Sequence, residues 1–418
     1  MKMPLAEIVK RLSAQEMAID TWFAAQWQGV TPLPYFSCDI RHSADKIGVV
    51  DTNLFPAGFN NLCKAYSREV SEAFQAYLSE FYPQAKTIGL LAETHTRNKF
   101  YLANVQKLQS LLQNSGHECL VTMALDNFAE PIKISLNEND SLTIYPAQLQ
   151  GDSLHLDAKK IDLLLSNNDF TAGVPAPFAS ISQPIIPAPS LGWHKRSKSQ
   201  HFKILNQLIN EFASRFAFDP WLMTAYAREI DNIDENDLTP LAEAVQHVLD
   251  AVQKKYTEYE ISDPPYVFIK NNSGTYGLGV ISVNSVDELL KLNRKQRQKL
   301  FSGKAGLKPQ SFLIQEGIPT ADTYSDFPIE PVIYGIGKKA VAGFFRIHEG
   351  KNRFESLNSP GMSFSCLCLH KLDELHEAAF INCCEKERLV SVSKAISRFA
   401  ALAAAKEAQT SETTKLPQ

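Results

Sequence analysis

The sequence predicts an α/β (α+β) protein in which an α/β region is followed by a region built on antiparallel strands. Short apolar runs alternate with amphipathic helical stretches through the first part of the chain. A Pro-rich passage interrupts that pattern, and β-branched runs separated by Gly-rich turns dominate after residue 264. Strands alternating with helices imply a sheet covered by helices, whereas strands joined by tight turns imply antiparallel pairing. At 418 residues the chain is too long for one simple core. The composition shifts divide it into 1–200, 201–406 and a polar, disordered tail at 407–418.

The opening residues alternate apolar and charged positions, as an amphipathic helix does, and contain no apolar core of a secretory leader. Residues 29–62 are rich in Pro, Asn and Gly and are predicted to be irregular. A helix is predicted from 64 to 81, because Tyr66, Val70, Phe74, Tyr77, Leu78 and Phe81 recur at three-to-four spacing. Tyr82-Pro83 stops it. "TIGLLAET" (87–94) is predicted as a buried strand, 99–114 as a helix ended by Gly116, and "ECLVTMAL" and "IDLLLSNND" (161–169) as further strands. Five prolines in 173–192 exclude a regular element there and predict a rigid connection. Helical patterns dominate from 201 to 257. Strands follow at "PYVFIK", "GVISV" and "SFLIQEGI" (311–318), then a hairpin over 331–348 turning at Gly337-Lys338-Lys339, and an Ala-rich helix over 385–406.

Composition excludes several function classes. Net charge is −4 with no long basic run, the densest being "WHKRSK" at 193–198, so no nucleic-acid partner is expected. No window is apolar enough to span a membrane, so no membrane partner is expected either. The seven cysteines, at 38, 63, 119, 366, 368, 383 and 384, are irregularly spaced and lack zinc-type pairing with histidine. Reduced thiols in a cytoplasmic protein are the expectation. A homo-oligomer is left open.

The most informative segment is "KNNSGTYGLGV" at 270–280. Gly274, Gly277 and Gly279 let backbone N–H groups approach a ligand closely, and Ser273 and Thr275 add hydroxyl donors. Such a loop forms an anion nest suited to phosphates, to which Lys270 adds a point charge. Neither of the two common phosphate-loop patterns is present. The loop lies between two strands, so a phosphate lid here is a β-hairpin; a Gly-rich turn with no ligand is the competing reading. Downstream, Gln315-Glu316 end a strand where an adenine or ribose can dock. Glu330, Arg346, Glu355 and Asn358 follow on or near the long hairpin. Magnesium on a nucleotide takes oxygen ligands, and Glu330, Glu355 and Asn358 offer them. Arg346 can neutralise a transferring phosphoryl group.

A second cluster sits near the N-terminus. Asp51, Asn53, Asn60 and Asn61 surround a Pro56–Gly58 turn and can bind the ammonium and carboxylate of an amino acid, with local Asx turns as the alternative. Arg97 and Asn98 follow the strand at 87, where open α/β sheets place ligand loops, and Asn168 ends another strand. Arg97 can grip a carboxylate through two hydrogen bonds. His95 and His194 lack a second ligand at metal spacing and are read as loop residues.

The order of strand Lys, Gly-rich lid, linker acid, Arg and late Asn resembles the nucleotide half of ATP-grasp enzymes. With "DTNLFPAGFNN", "ETHTRN", "GWHKRSKSQHF", "QEGI", "EPVIY", "FFRIH" and "LNSPGM", the chain resembles the bacterial ATP-grasp type of glutamate–cysteine ligase from about residue 10 to 400. The resemblance implies an ATP-grasp region with a hairpin lid, ATP and Mg²⁺ as cofactors, and glutamate and cysteine as substrates. It implies γ-glutamylcysteine as product, through an acyl-phosphate, on the way to glutathione. Two departures stand out. The additional Lys or Arg such enzymes carry one helix–strand unit upstream is unassigned, since Lys254 and Lys255 fall in a helical pattern. Asn271-Asn272 also replaces the Pro often found after the lid Lys. Another carboxylate–amine ligase, a non-catalytic nucleotide-binding protein and a small-alcohol kinase are the rival readings.

Overall fold

The computed structural model describes residues 5–274, 279–303, 308–367 and 387–413. Its described elements form a mixed α/β structure with four sheets. Thr275 and Gly277 of the predicted phosphate loop, and Cys368, Cys383 and Cys384, lie outside the described residues. The described cysteines, Cys38, Cys63, Cys119 and Cys366, are buried.

The predicted α/β region is a largely parallel sheet. Thr87–Ala92 pairs in parallel with both Glu118–Met123 and Leu163–Ser166. Helix Lys99–Asn114 and helix Ser67–Phe81 bury Val105, Leu108, Phe74 and Leu78 in the core on this sheet. Asn98 starts the first of these by accepting a hydrogen bond from the Tyr101 amide, a side-chain cap that satisfies an otherwise orphaned donor. An antiparallel edge, Ile132–Ser135 with Ser141–Tyr145, and a three-stranded sheet over 148–160 extend this region beyond the prediction.

A second sheet, of four antiparallel strands, orders Ala227–Asp231, Ser311–Glu316, Val267–Asn271 and Ile281–Val283. Helix Thr239–Glu258 buries Leu241, Val245 and Val252 in the main core beside it. Gly279 enters the last strand at φ +68, and a Cβ there would lie 3.0 Å from the Ser302 carbonyl oxygen. Only glycine meets both demands without displacing backbone.

The central sheet is the main departure from prediction. Residues 29–62 are not irregular throughout: Phe36–His42 and Ile47–Asn53 are antiparallel strands. Phe36–His42 also pairs with Phe327–Ile336, which continues through Lys339–His348 to Met362–Leu367. Both N-terminal strands are buried on nearly every position, so no alternation marks them, and their pairing partner is far away in sequence. The hairpin turn is tighter than predicted, with Ile336 opposite Lys339. The sheet therefore draws strands from both sides of residue 200.

The last helix runs from Glu387 to Thr413, past the predicted end at 406 and into the segment read as a disordered tail. Its alanines at 400, 401 and 403–405 are buried, and their small side chains let it pack on the central sheet and on helix Lys198–Phe216. Glu407, one residue beyond the run of predicted helix, is buried too. No helix among the described residues is long and apolar enough to cross a membrane.

Candidate active site

A cleft opens between the four-stranded sheet and the central sheet. Phe268, Lys270, Asn271, Gly274 and Val280 line one side; Asp39, Arg41, Val50, Asp51 and Glu330 line the other. Lys198, Ser356 and Asn358 complete it. Asp39 and Arg41 are two apart on one strand and so share a face. Lys198 is the first residue of its helix, set there by Ser197, whose hydroxyl accepts from the Gln200 amide.

Charge alternates across this space. Lys270 Nζ is buried and donates to the Val50 carbonyl and to Gln315 Oε1, both at 2.7 Å. Burial pulls its pKa down to about 8, against the pull of Asp51 and with the repulsion of Lys198 and Arg41. Lys198 Nζ lies 2.5 Å from Asp51 Oδ1. Burial would raise the Asp51 carboxyl, but Lys198 and Lys270 outweigh it and hold it down to about 2. Opposite, Glu330 accepts from Arg41 Nε at 2.9 Å and from Arg346 Nη1. Arg346 also donates to Asp39 Oδ2 at 2.7 Å. Burial opposes charge on Glu330, yet Arg41 and Arg346 prevail and keep it below the usual carboxylate range. Arg41 reaches on to the Glu355 carbonyl, joining the central sheet to the loop that carries Asn358.

Among the described residues, the buried donors Gln315 Nε2 and Arg346 Nε beside the cleft have no hydrogen-bond partner. An unpaired buried donor is costly, and both lie behind the cleft lining, where a shift of the side chain would let them donate to an oxygen-rich ligand. Among the described residues, no group of three or more His, Cys, Asp or Glu is placed to hold a metal by itself.

The structure thus brings Lys270, Gly274, Asp51, Glu330 and Asn358 to one cleft, with Arg346 and Gln315 directly behind. Ser273 does not line it; its hydroxyl donates to the Arg196 carbonyl. Glu316 is fully buried and satisfied by Lys46 Nζ at 2.7 Å, Trp221 Nε1 at 3.0 Å and the Tyr226 amide at 2.9 Å. The Glu355 carboxylate is turned to Lys351 and the Asn352 amide. In the N-terminal cluster Asn53 accepts from the Phe55 amide and Asn168 from the Phe170 amide, local caps of the kind Asx residues make. Asn60 is exposed and donates to Asn61 Oδ1, and Arg97 and Asn98 are exposed at the helix start. The loop around Gly58 is held instead by Asn104, which accepts from the Gly58 and Phe59 amides, and by Asn167, which donates to the Pro56 carbonyl.

Sequence reasoning missed Asp39, Arg41 and Lys198. Asp39 and Arg41 fell in the stretch read as irregular. Lys198 had a readable signal: "SKSQ" has the Ser-x-x-Gln spacing of a helix start, which puts Lys198 on the first turn.

A cleft with buried cations facing paired carboxylates, beside a Gly-rich strand connection, has the chemistry of an enzyme that handles polyanionic and amino-acid substrates. The sequence profile of the glutamate–cysteine ligase family matches residues 9–408. A solved structure from Methylobacillus flagellatus KT, named "Putative gamma-glutamylcysteine synthetase", is 32% identical, with a TM-score of 0.87 over 97% of this chain and 96% of that one. D-alanyl-alanine synthetase A from Vibrio cholerae O1 biovar eltor is 12% identical with a TM-score of 0.35 over 75% of this chain and 80% of its own, a likeness too slight to carry an argument. No curated protein matches at a significant level. The protein is a ligase. The chain belongs to the glutamate–cysteine ligase family, and ATP use and a place in glutathione biosynthesis follow from that membership.

Proposed function

We propose that this ligase joins the γ-carboxylate of L-glutamate to the amine of L-cysteine, and that the cleft between Lys270 and Glu330 is where ATP is consumed. The observation that carries the reading is that the cations Lys198 and Lys270 line one cleft with Gly274 and with the carboxylates Asp39, Asp51 and Glu330. Phosphates need cations; a metal riding on them needs oxygens; the cleft has both. The four-stranded antiparallel sheet with its Gly-rich connection supports an ATP-grasp arrangement, in which that connection closes over the phosphates.

Lys198 would serve as the upstream cation the sequence left unassigned, a reading supported by its ammonium and that of Lys270 bordering one cleft. Both would neutralise the triphosphate, with Gln315 as a buried polar partner of Lys270. Magnesium bound through phosphates needs only one or two protein oxygens, and Glu330 and Asn358 have the hard donor chemistry for it. Its role is to screen phosphate charge. Glu355 would join them only by leaving Lys351. Arg346, with Nε unpaired, would balance charge on the transferred group.

In the reaction, a γ-carboxylate oxygen of glutamate attacks the terminal phosphorus and ADP leaves. The cysteine amine, having lost its proton, attacks the acyl carbon of γ-glutamyl phosphate. The C–O bond to phosphate then breaks. Positioning and charge neutralisation are the protein's main contributions, and a closed lid keeps water from the acyl-phosphate. Residues 1–200 would supply amino-acid contacts, with Asp51 the predicted member that lines the cleft, and 201–406 most nucleotide contacts.

The test is ADP release measured across single amino acids and pairs. Glutamate with cysteine should stimulate turnover strongly together and little apart. Equal or greater stimulation by another acid–amine pair would move the protein to a different carboxylate–amine ligase.

A further inference from the structure

We infer that Glu407, on the C-terminal helix, is a positioning residue that holds the nucleotide wall of the cleft in shape through Arg196. The inference rests on the cleft being the nucleotide site. Glu407 is only 3% exposed and accepts from Arg196 Nε at 2.8 Å and Nη2 at 3.2 Å, a two-point pairing that fixes the guanidinium plane. His201 Nδ1 lies 2.9 Å from the second Glu407 oxygen. Burial pushes the Glu407 carboxyl up, but Arg196 and His201 bring it down to about 2, so it remains an anion.

The remaining Arg196 nitrogen, Nη1, donates to the Thr52 carbonyl at 2.9 Å, next to Asp51. The Arg196 carbonyl accepts from Ser273 Oγ at 3.0 Å, at the foot of the Gly-rich segment. Two residues on, the Lys198 amide donates to the Asn272 carbonyl at 2.8 Å while its ammonium grips Asp51. Arg196 thus ties the strand bearing Asp51 through its side chain and the base of the Gly-rich loop through its backbone carbonyl, and the segment it belongs to carries Lys198. Glu407 fixes that side chain, and Trp193 stacks beneath the guanidinium, 4.7 Å from ring centroid to Cζ. None of Glu407, Arg196 and His201 lines the cleft, so the effect passes through geometry.

The experiment compares full-length wild type, Glu407→Gln and Arg196→Lys. Gln keeps the shape of Glu407 and loses its charge; Lys can still reach Glu407 but cannot also hold Thr52. Affinity for Mg²⁺-ADP is measured by calorimetry on folded protein, alongside the thermal midpoint and the KM for ATP. Both variants should bind about tenfold more weakly, the scale on which outer partners tune a binding site. KM for ATP should rise in step, and kcat should change much less. Unchanged affinity in either folded variant, with only a lowered thermal midpoint, would reduce the network to a structural bolt and overturn the inference. Should one variant not fold, the other decides by the same comparison. If wild type itself fails to bind Mg²⁺-ADP, the nucleotide assignment of the cleft falls first, and this inference with it.

Discussion

The two walls of the cleft are built by different means. The Lys270 wall comes from a compact stretch of sequence, a strand and the Gly-rich segment that leaves it, and its chemistry is written in adjacent residues. The Asp39–Arg41 wall is assembled from strands nearly three hundred residues apart, with Asp39 opposite Val332, and from the hairpin that sets Glu330 opposite Arg346. The first wall offers Lys270, whose hydrogen bonds go to neutral oxygens and leave its charge for a ligand. The second is a lattice, Arg41–Glu330–Arg346–Asp39, in which each charged group already has a partner within the protein, so Glu330 and Arg346 would meet a ligand only by sharing those partners. Unpaired charge is available at once, whereas paired charge also holds shape. The walls should therefore respond differently to substitution.

The largest effect is expected at Lys270. Lys270→Ala removes the buried point charge at the proposed phosphates and should lower kcat/KM for ATP by about 100-fold or more, the scale of losing one electrostatic stabiliser. The thermal midpoint should hold or rise, because a desolvated ammonium is removed. Normal ATP-dependent turnover in this variant would break the contrast at its strongest point. Next comes Arg41→Met, which leaves Glu330 buried with one partner fewer and strips the link to the 355 carbonyl. Breaking a buried pair from one side costs about 3–5 kcal/mol. Chemical denaturation should show that loss; a variant as stable as wild type would mean that the second wall is not held by its charges.

Legibility followed the same division. The strands at 87, 118 and 163 and the helix at 99 were readable because periodicity, Gly116 and Pro83 mark them locally. Lys270, Glu330 and Asn358 were readable because their order along the chain carries chemistry even before folding. Asp39 and Arg41 were hidden, since a short strand buried on both faces and flanked by Pro and Asn shows neither alternation nor a turn signal. Asn53 and Asn168 were read as site residues from their type and their place at a turn and a strand end, and in the structure their oxygens cap backbone amides next door. Glu407 was lost to the polar composition of the last residues, because its partners are supplied from far away, Arg196 by a loop and His201 by the helix that follows it.

A smaller effect, on pH dependence, sharpens the contrast further. Lys270 is charged below its pKa, which burial has lowered to about 8 against Asp51 and Asp39 and with Lys198 and Arg41. As pH rises through 8 the ammonium of the free enzyme loses its proton and its attraction for phosphate. The kcat/KM for ATP, which reports the free enzyme, should fall above pH 8 by at most about tenfold per unit. Lys270→Arg should abolish that limb whatever its absolute rate, since guanidinium stays charged. A wild-type profile flat to well above pH 9 would show that Lys270 is not the group on which ATP capture depends.

The smallest effect separates two residues that the sequence presents as a unit, Glu355 and Asn358. Only Asn358 lines the cleft. The Glu355 carboxylate is a partly exposed partner of Lys351, with its second oxygen on the Asn352 amide, and what Arg41 holds is its backbone carbonyl. A role for Glu355 that is confined to the backbone makes its side chain dispensable, while an amide oxygen in the cleft does not tolerate removal. Asn358→Ala should therefore raise the Mg²⁺ concentration for half-maximal activity by about tenfold, as losing one ligand-type oxygen does. Glu355→Gln, which keeps a hydrogen-bonding end toward Lys351 and Asn352, should shift it by less than about twofold on the same scale. The reverse ranking in a Mg²⁺ titration would mean that Glu355 leaves Lys351 when the metal binds, and that this loop belongs with the wall that binds rather than the wall that holds.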